Sequence, residues 1–349
     1  MITFNPGPAQ IDNQTQQALA DLAYSGFLSQ SHRGSAFVAR CREAVEGLRR
    51  GLLVPEDYQI LLQPSATAAM DTLLRNLVRK RSSHFVHGAF SERFWKTSAE
   101  LGLEADALRF AADQAIDPMA VPIHHESELI AITHNETATG LMWPFEVINA
   151  LRSAQSEPML AVDITSSLGC MAMPWQLADV WFGSVQKGLG LPAGLGLLFV
   201  SPRAFARCQT VLAHNRVAAW QRLDVMAEKM AQYQTLETPN MVALALLAER
   251  MSRFDQAAIE RETRVKARQL YDRLGSQAFV QDPEWRSLST AHFWVNNAEG
   301  LQKQALERGL ILGSGYGTYK GKSIRIANFP ALDLDAIRLA IECVLSWSS

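Results

Sequence analysis

The sequence predicts an α/β fold in which one sheet is buried on both faces and a smaller α+β domain follows. Three observations lead to this prediction. Short apolar runs alternate with helical patterns over most of the chain, which is typical of a sheet that helices cover on both sides. From Asn240 onward the pattern changes to one long helical stretch, followed by a second group of strands. A chain of 349 residues also exceeds what one ordinary core holds and suits two domains.

The alternating elements occupy the first part of the chain. A helix is predicted after the first strand, at 65–78, and another after the second strand, through 91–102. The strands are apolar runs bounded by polar residues, glycine or proline. They are predicted at residues 58–63, 84–88, 128–134, 159–164, 179–185 and 196–201.

The second part begins with a helical pattern at 240–275 that we expect to be bent or broken once. Its charged stretch pairs Glu260 with Arg264 and Glu262 with Lys266 at the stabilising i,i+4 spacing, so we expect a solvated helix face there. Three strands and a closing helix complete the chain, at 292–296, 310–315, 323–329 and about 334–347. We therefore expect a large domain over 13–247, and a small domain over 248–349 that also takes in 1–12.

Composition excludes several classes of function. A net charge of −2 provides no basic field, so neither nucleic acid nor an anionic membrane is expected as a partner. No apolar run reaches the length of a membrane span, and the first residues do not resemble a secretion signal. The four cysteines are scattered, with no metal-ligand spacing, so we expect neither disulfides nor a metal site, and a cytoplasmic location.

The most informative segment joins the strand at 179–185 to Gln186, Lys187 and a loop rich in glycine. Ligands collect beyond the carboxyl ends of strands in open α/β sheets, and a sheltered lysine amine there can form an imine with a carbonyl carbon. A lysine in a glycine loop is more often simply solvated. Asp163 changes that balance because it ends the preceding predicted strand, so a carboxylate and an amine can flank one flat ring. Pyridoxal phosphate requires this pair, with the carboxylate holding its ring nitrogen protonated.

A phosphate anchor is expected at the start of a helix, where free N–H groups and the helix dipole attract anions. Ser65, Ala66 and Thr67 lie between a predicted strand and a predicted helix and supply two hydroxyls. The alternative for this segment is a plain helix cap. Phe90 follows another strand end and is a candidate for stacking on the ring, although an aromatic residue at such a place is more often part of the core.

Eight short strings carry a resemblance to a known family, and they run through nearly the whole chain. In order they are FNPGPA, SHR, GAFSER, NETATG, VDITSS, SVQKGLGLPAG, ETPN and IRIANF. With them the chain resembles the class V aminotransferases of fold type I, and most closely the phosphoserine aminotransferases and their relatives. The resemblance implies a large domain with a mixed, mostly parallel sheet flanked by helices, and a small α+β domain at the carboxyl end.

The same resemblance implies roles for residues around the cofactor. Lys187 would hold pyridoxal phosphate covalently, and Asp163 would pair with its ring nitrogen. Phe90 takes the stacking position, where the family usually has tryptophan, and Thr137 would contact the ring hydroxyl or the phosphate. The phosphate would lie beside Gln186 and the loop formed by Ser65, Ala66 and Thr67.

Further roles concern the substrate and a second subunit. Glu237 and Thr238 match a pair that reaches the phosphate of the neighbouring subunit's cofactor, so a homodimer with shared active sites is expected. His32 and Arg33 would line the substrate pocket. Arg325 would bind the substrate's α-carboxylate through a bidentate contact.

Several departures from the family pattern bear on the substrate. The phosphoserine enzymes usually carry arginine where this chain has Thr67, and their Asn-Thr-Pro-Pro reads Glu-Thr-Pro-Asn here. Before Arg325 they have Gly-His-Arg and a Gly-Gly pair, whereas this chain has the residues 319–323, YKGKS. This chain therefore has fewer cationic residues than those enzymes to bind the phosphate of a phosphorylated substrate.

These observations lead to two transaminase hypotheses, and three other classes of function are weighed against them. The leading prediction is transfer between phosphoserine and 2-oxoglutarate, as in serine biosynthesis, and the alternative is a serine–pyruvate or alanine–glyoxylate type of transamination. A cysteine desulfurase would need a mobile thiol in 310–322, which has no cysteine. A non-catalytic binding protein of this fold would be expected to have lost Lys187 or Asp163. A nucleotide-binding oxidoreductase would need G-x-G-x-x-G between a strand and a helix, which is absent.

Overall fold

The computed structural model of the protein describes residues 1–347, whose strands form sheets of seven, four and two strands. The strands are β1 (Ile2–Phe4), β2 (Gln59–Gln63), β3 (Arg81–Val86), β4 (Glu104–Arg109), β5 (Leu129–Thr133), β6 (Asn135–Glu136), β7 (Leu141–Met142), β8 (Met159–Asp163), β9 (Val180–Ser184), β10 (Gly196–Val200), β11 (Thr290–Trp294), β12 (Leu310–Ser314) and β13 (Ser323–Ala327). The helices are α1 (Asn13–Tyr24), α2 (Ser35–Leu52), α3 (Ala66–Leu77), α4 (Ala89–Glu100), α5 (Phe145–Ala154), α6 (Pro202–Leu212), α7 (Leu223–Met230), α8 (Met241–Ser252), α9 (Gln256–Leu274), α10 (Ala298–Glu307) and α11 (Leu334–Leu345).

The seven-stranded sheet has the order β2-β10-β9-β8-β5-β3-β4. Strand β10 runs antiparallel to both of its neighbours, and the other adjacent pairs are parallel. Every residue of β5, β8, β9 and β10 is buried, because helices cover both faces. The predicted mixed, mostly parallel sheet is therefore confirmed, and all six strands predicted in this part of the chain are present.

Strand β4 is absent from the prediction. Its sequence EADALR is polar, and its residues are half-buried or exposed, because it lies at the edge of the sheet beside β3 only. An edge strand exposes one side to water, so it does not need the continuous apolar run that marks the central strands.

The four-stranded sheet has the order β1-β12-β13-β11. Strand β1 pairs in parallel with β12, and Ile2 lies opposite Leu310, so the amino-terminal segment joins the carboxyl-terminal sheet as predicted. The other two adjacent pairs are antiparallel. Phe4, Phe293 and Ile326 lie in the buried cluster beneath this sheet.

The long helical pattern after Asn240 is broken once, between α8 and α9. Asp255 ends the break, because its side chain accepts a hydrogen bond from the Ala258 N–H at 2.9 Å and caps α9. Buried residues of α8 belong to the core of the large sheet, whereas Leu270 and Leu274 of α9 belong to that of the small sheet. The division into domains at residue 247, which falls within α8, stays a proposal that these two cores support in outline.

Lys266 in α9 corrects one expectation about the charged stretch. Its side chain is buried, and its Nζ donates to the Leu332 carbonyl oxygen at 2.5 Å. Glu260 and Arg264 form the expected ion pair at 2.7 Å, with Arg264 exposed. The solvated face therefore includes Arg264 but not Lys266, which is bound to carbonyl groups of the segment that precedes α11. Across residues 1–347, no helix combines the length and the apolar character that crossing a membrane requires.

Candidate active site

A cavity of about 340 Å³ opens where β8 and β9 end. Both strands run in the same direction, and Asp163 of β8 lies opposite Phe182 of β9, so the residues that follow them meet at one edge of the sheet. Eight of the predicted site residues line this cavity: Ser65, Ala66, Thr67, Phe90, Thr137, Asp163, Gln186 and Lys187.

Lys187 lies three residues beyond β9, and its side chain is buried. Its Nζ donates to Thr137 Oγ1 at 2.6 Å and to Ser166 Oγ at 3.0 Å. Burial lowers the pKa of Lys187 to about 8, although the carboxylates of Asp163 and Glu136 oppose this shift. More of this amine is therefore neutral at physiological pH than of an exposed lysine, and the neutral amine is the form that attacks a carbonyl carbon.

Gly188 explains why glycine follows the lysine. A Cβ at this position would lie 2.2 Å from the Leu168 carbonyl oxygen, so the loop packs against the segment after β8 more closely than any side chain permits. The sequence signal of a glycine-rich loop thus reflects a close approach between the two segments that carry Lys187 and Asp163.

Asp163 is the last residue of β8 and is buried. Its Oδ1 accepts hydrogen bonds from the Thr165 N–H at 2.8 Å and from Thr165 Oγ1 at 2.5 Å. Burial raises the pKa of Asp163, and the two bonds from Thr165 oppose that rise. Because both bonds go to Oδ1, Oδ2 is left to receive a proton-bearing group of a ligand in the cavity.

The start of α3 forms another wall of the cavity. Ser65 caps the helix, because its Oγ accepts from the Ala68 N–H at 3.1 Å, and Ser184 Oγ accepts from the Ala66 N–H at 2.7 Å. A Cβ on Gly196 would lie 2.6 Å from the Ser65 carbonyl carbon, so β10 presses directly on this turn. The helix cap that the sequence allowed as an alternative is therefore present, in the same segment that lines the cavity.

Buried polar atoms of the lining test whether a polar cofactor fits. Thr133 Oγ1, Asn135 Oδ1 and Gln186 Oε1 are buried and lack a hydrogen-bond partner among residues 1–347. Unpaired buried groups are rare in folded proteins, and a side-chain amide can present either oxygen or nitrogen after rotation. Together with Asp163, the α3 start, the Phe90 ring and the Lys187 amine, these atoms fit pyridoxal phosphate, which has a ring nitrogen, a phosphate and an aldehyde.

Glu136 holds Phe90 in place, a role that the sequence did not reveal although NETATG contains it. The carboxylate is fully buried and accepts from the N–H groups of Phe90 and Ser91, both at 3.0 Å, and of Ala138 at 3.2 Å. A Cβ on Gly88 would lie 2.3 Å from Glu136 Cγ. A carboxylate at the amino end of α4 also interacts favourably with the helix dipole.

Arg325 lies next to the cavity, on β13, and is nearly buried. Its Nε donates to the Ser314 carbonyl oxygen at 2.7 Å and its Nη1 to the Thr137 carbonyl oxygen at 3.0 Å. Burial lowers the pKa of Arg325 to about 10, so the guanidinium stays charged at physiological pH. Its Nη2 makes no hydrogen bond to any described residue, which leaves donors for a carboxylate.

His32, Arg33, Glu237 and Thr238 do not line the Lys187 cavity of their own chain. Arg33 donates to the carbonyl oxygens of Thr235 at 2.5 Å and of Leu236 at 3.0 Å, and His32 Nδ1 lies 3.2 Å from Thr238 Oγ1. These contacts bring the four residues together. Glu237 and Thr238 line a separate groove, which also includes Pro64, the residue before Ser65. Their predicted roles at a cofactor or a substrate stay predictions.

Comparison with known proteins gives a consistent result over most of the chain. The family model described as aminotransferase class-V matches residues 2–312. A provisionally named phosphoserine aminotransferase of Mycobacterium leprae is 30% identical over 98% of this chain and 93% of its own length. The phosphoserine aminotransferase of a Nocardioides species is 28% identical over 98% of this chain and 95% of its own length.

Solved structures agree with the fold. A phosphoserine aminotransferase from Cytophaga hutchinsonii is 30% identical, with a TM-score of 0.96 over 100% of this chain and 99% of its own. An alanine–glyoxylate aminotransferase from a Nostoc species has a TM-score of 0.84 at 20% identity, over 98% of this chain and 94% of its own, which shows the fold alone. The fold-type I prediction is confirmed. The chain belongs to the class-V aminotransferases, which are enzymes that depend on pyridoxal phosphate.

Proposed function

We propose that this enzyme transfers the amino group between phosphoserine and 2-oxoglutarate. The observation that carries the proposal is the similarity to the Cytophaga hutchinsonii phosphoserine aminotransferase, which extends over the full length of both chains. The site supports it through a buried lysine, a buried carboxylate and an arginine with free donors around one cavity. Lys187 and Asp163 are both present, so the alternative of a non-catalytic binding protein loses its main argument.

The residues divide the work as follows. Pyridoxal phosphate, when bound, supplies a protonated ring that accepts electrons from the carbon bearing the amino group. Asp163 Oδ2 would hold the proton on the ring nitrogen. Arg325 Nη2 would bind the substrate's α-carboxylate and thereby orient the α-carbon. Lys187 Nζ would move the α-proton as general base and acid, since its pKa of about 8 is near the operating pH.

Thr137 and Ser166 would hold the Lys187 amine when it is not bound to the cofactor. Both hydroxyls contact Nζ, and they also contact each other. A lysine with four rotatable side-chain bonds would otherwise sample many positions, so these two contacts keep the amine close to the α-carbon. Ser166 was not among the residues predicted from the sequence.

We also propose a homodimer with shared sites, in which the group formed by His32, Arg33, Glu237 and Thr238 reaches the partner's cavity. Two features support this. The four residues lie outside their own chain's cavity, and the adjoining groove contains Trp220, whose side chain is 52% exposed. For the location we propose the cytoplasm, because all four cysteines are free, as expected in a reducing compartment.

The absorbance spectrum of the purified holoenzyme tests the proposed function directly. The visible band of the bound cofactor should disappear on addition of phosphoserine or glutamate, and should be absent from Lys187→Ala. A response to alanine or serine without one to phosphoserine would instead establish the alanine–glyoxylate type of reaction. Absence of any band after added pyridoxal phosphate would contradict the assignment of the cavity.

A further inference from the structure

Arg93 presents a cation to the cavity, and none of the residue roles proposed above includes it. It lies on α4, one turn after Phe90, and lines the cavity together with Thr67. Its guanidinium carbon is 5.4 Å from the centre of the Phe90 ring, and its Nη1 is 3.5 Å from Thr67 Oγ1. Thr67 is the position where the phosphoserine enzymes usually carry arginine, so a guanidinium from α4 occupies the neighbourhood of the missing one.

The guanidinium forms no ion pair with a carboxylate among residues 1–347, although its charge helps to lower the pKa of Asp163 against the effect of burial, and its contact with Thr67 is long for a hydrogen bond. The adjacent Glu92 does not neutralise it, because that carboxylate pairs with Arg109 at 2.6 Å and with Lys96 at 3.5 Å. Arginine presents its N–H donors as a planar fork that matches the oxygens of a phosphate or a carboxylate. Arg93 is exposed and borders the cavity, so its N–H donors can bind an anion that enters the cavity.

The Phe90 ring relates this cation to the reactive amine. Lys187 Nζ lies 5.0 Å from the centre of the same ring that Arg93 contacts, so both cations border one part of the cavity. Arg325 supplies a second guanidinium next to the cavity. It donates to the carbonyl oxygen of Thr137, a residue of the cavity lining. An amino acid with its α-carboxylate at Arg325 and its amino group at Lys187 therefore has a third cation available for its side chain.

We propose that Arg93 binds the anionic group on the side chain of the substrate, a phosphate ester or a carboxylate, and thereby selects anionic over neutral amino acids. This inference rests on the proposed function and names the residue that determines its specificity. A second anion could also bind Arg93. The cofactor carries a phosphate, and the expected phosphate anchor at α3 includes Thr67, which lies next to Arg93. The experiment has to separate the two anions.

The test uses Arg93→Gln and Arg93→Lys in the holoenzyme. The reaction of bound cofactor with one amino acid is followed by absorbance, without an acceptor, so that only one substrate contributes. For Arg93→Gln, the second-order rate constant of this half-reaction should fall about 10- to 100-fold for phosphoserine and glutamate, as expected for loss of hydrogen bonds to a charged group. The value for alanine should stay within about twofold, since a neutral side chain makes no such bond. Arg93→Lys should lie between Arg93→Gln and the unchanged enzyme, because it keeps the charge but not the fork.

Arg79→Gln is the matched control. Arg79 is an exposed arginine that forms no ion pair with the described residues and does not line the cavity. The affinity of each apoenzyme for pyridoxal phosphate is measured by titration. An equal loss of activity with phosphoserine and alanine, no loss with either, or a main effect on cofactor affinity would each overturn the role of Arg93.

Failure of the proposed function has a different signature. If the unchanged enzyme does not react with phosphoserine, that proposal fails, while the ratio of glutamate to alanine still tests Arg93. If the unchanged enzyme reacts with neither phosphoserine nor glutamate, Arg93 does not select anionic side chains, and the inference fails as well.

Discussion

Lys187 differs from a surface lysine in its burial and in its two hydroxyl partners. Both features matter for the proposed chemistry. The amine must lose a proton before it can attack an aldehyde, and the two hydroxyl contacts keep it in position. Burial accounts for the lowered pKa, and the residual attraction to Asp163 and Glu136 keeps the shift moderate.

The first prediction concerns the pH dependence of cofactor attachment to the apoenzyme. Because the neutral amine reacts, the rate of covalent attachment should rise with pH and level off above a pKa of about 8. Stopped-flow absorbance after mixing with pyridoxal phosphate measures this rate, and Lys187→Ala should show no covalent phase. A rate that keeps rising toward the ordinary lysine pKa of 10.5 would contradict the assigned environment.

A buried carboxylate helps to hold the start of α4. The backbone N–H groups of Phe90 and Ser91 in α4, and of Ala138, donate to Glu136. Helix α4, which carries Arg93 and the predicted ring-stacking residue Phe90, is therefore held to the segment that carries Thr137.

The second prediction is that Glu136→Gln lowers the free energy of unfolding by about 1–3 kcal/mol, because the amide group places N–H donors against N–H donors in a buried site. Denaturant unfolding of the apoenzyme measures the change. Glu92→Gln on the same helix is the control, and as a partly exposed ion pair it should change stability by less than about 1 kcal/mol. Equal effects of the two variants would show that Glu136 has no special role in holding α4.

The third prediction concerns the contact between β10 and the turn before α3. Gly196→Ala should weaken binding of pyridoxal phosphate about tenfold, the equivalent of roughly 1.4 kcal/mol, because the added methyl group displaces the Ser65 backbone. Fluorescence titration of the apoenzyme measures the affinity. Gly275→Ala is a suitable control, since its added carbon would approach only Arg286 Nη1, at 3.4 Å, and Gly275 does not line the cavity. An unchanged affinity in Gly196→Ala would show that the turn does not anchor the cofactor.

At the scale of the whole molecule, the cavity lies between residues from distant parts of the chain. Asn135 donates to Ser289 at 2.7 Å, and Ser289 in turn donates to the Ser166 carbonyl oxygen at 2.5 Å. The carboxyl-terminal part of the chain thus contacts the segments that follow β5 and β8. A shift of this part of the chain would therefore move Ser166, and Ser166 in turn contacts the Lys187 amine.

The fourth prediction tests the shared site of the proposed dimer. Lys187→Ala and Thr238→Phe should each be inactive alone, but co-expression should restore activity. A mixed dimer then has one site with an unchanged lysine from one chain and an unchanged Thr238 from the other. Turnover of the purified mixed dimer, isolated with two different affinity tags, is the measurement. Recovery no greater than in either variant would place Thr238 outside the partner's site.

Much of the fold was predictable because the central strands are buried on both faces, and burial requires continuous apolar runs. Strand β4 was not predicted because an edge strand does not need a continuous apolar run. The burial of Lys266 was not predicted because its carbonyl partners lie more than sixty residues away in sequence. Lys187 and Asp163 were recognisable as polar residues at the ends of apolar strands, which is where parallel sheets bind ligands.

The sequence by itself predicted six of the seven strands of the large sheet, the positions of Lys187 and Asp163 beyond or at strand ends, and the family. Only the tertiary structure decided which side chains share the cavity. Ser166 and Arg93 line it, and Glu136 supports its wall through Phe90, although the sequence revealed no role for these three residues. His32 and Arg33 lie outside it in their own chain. The physical reason is that burial and helical periodicity act on neighbours in sequence, whereas the hydrogen bonds and charges of a site act on neighbours in space.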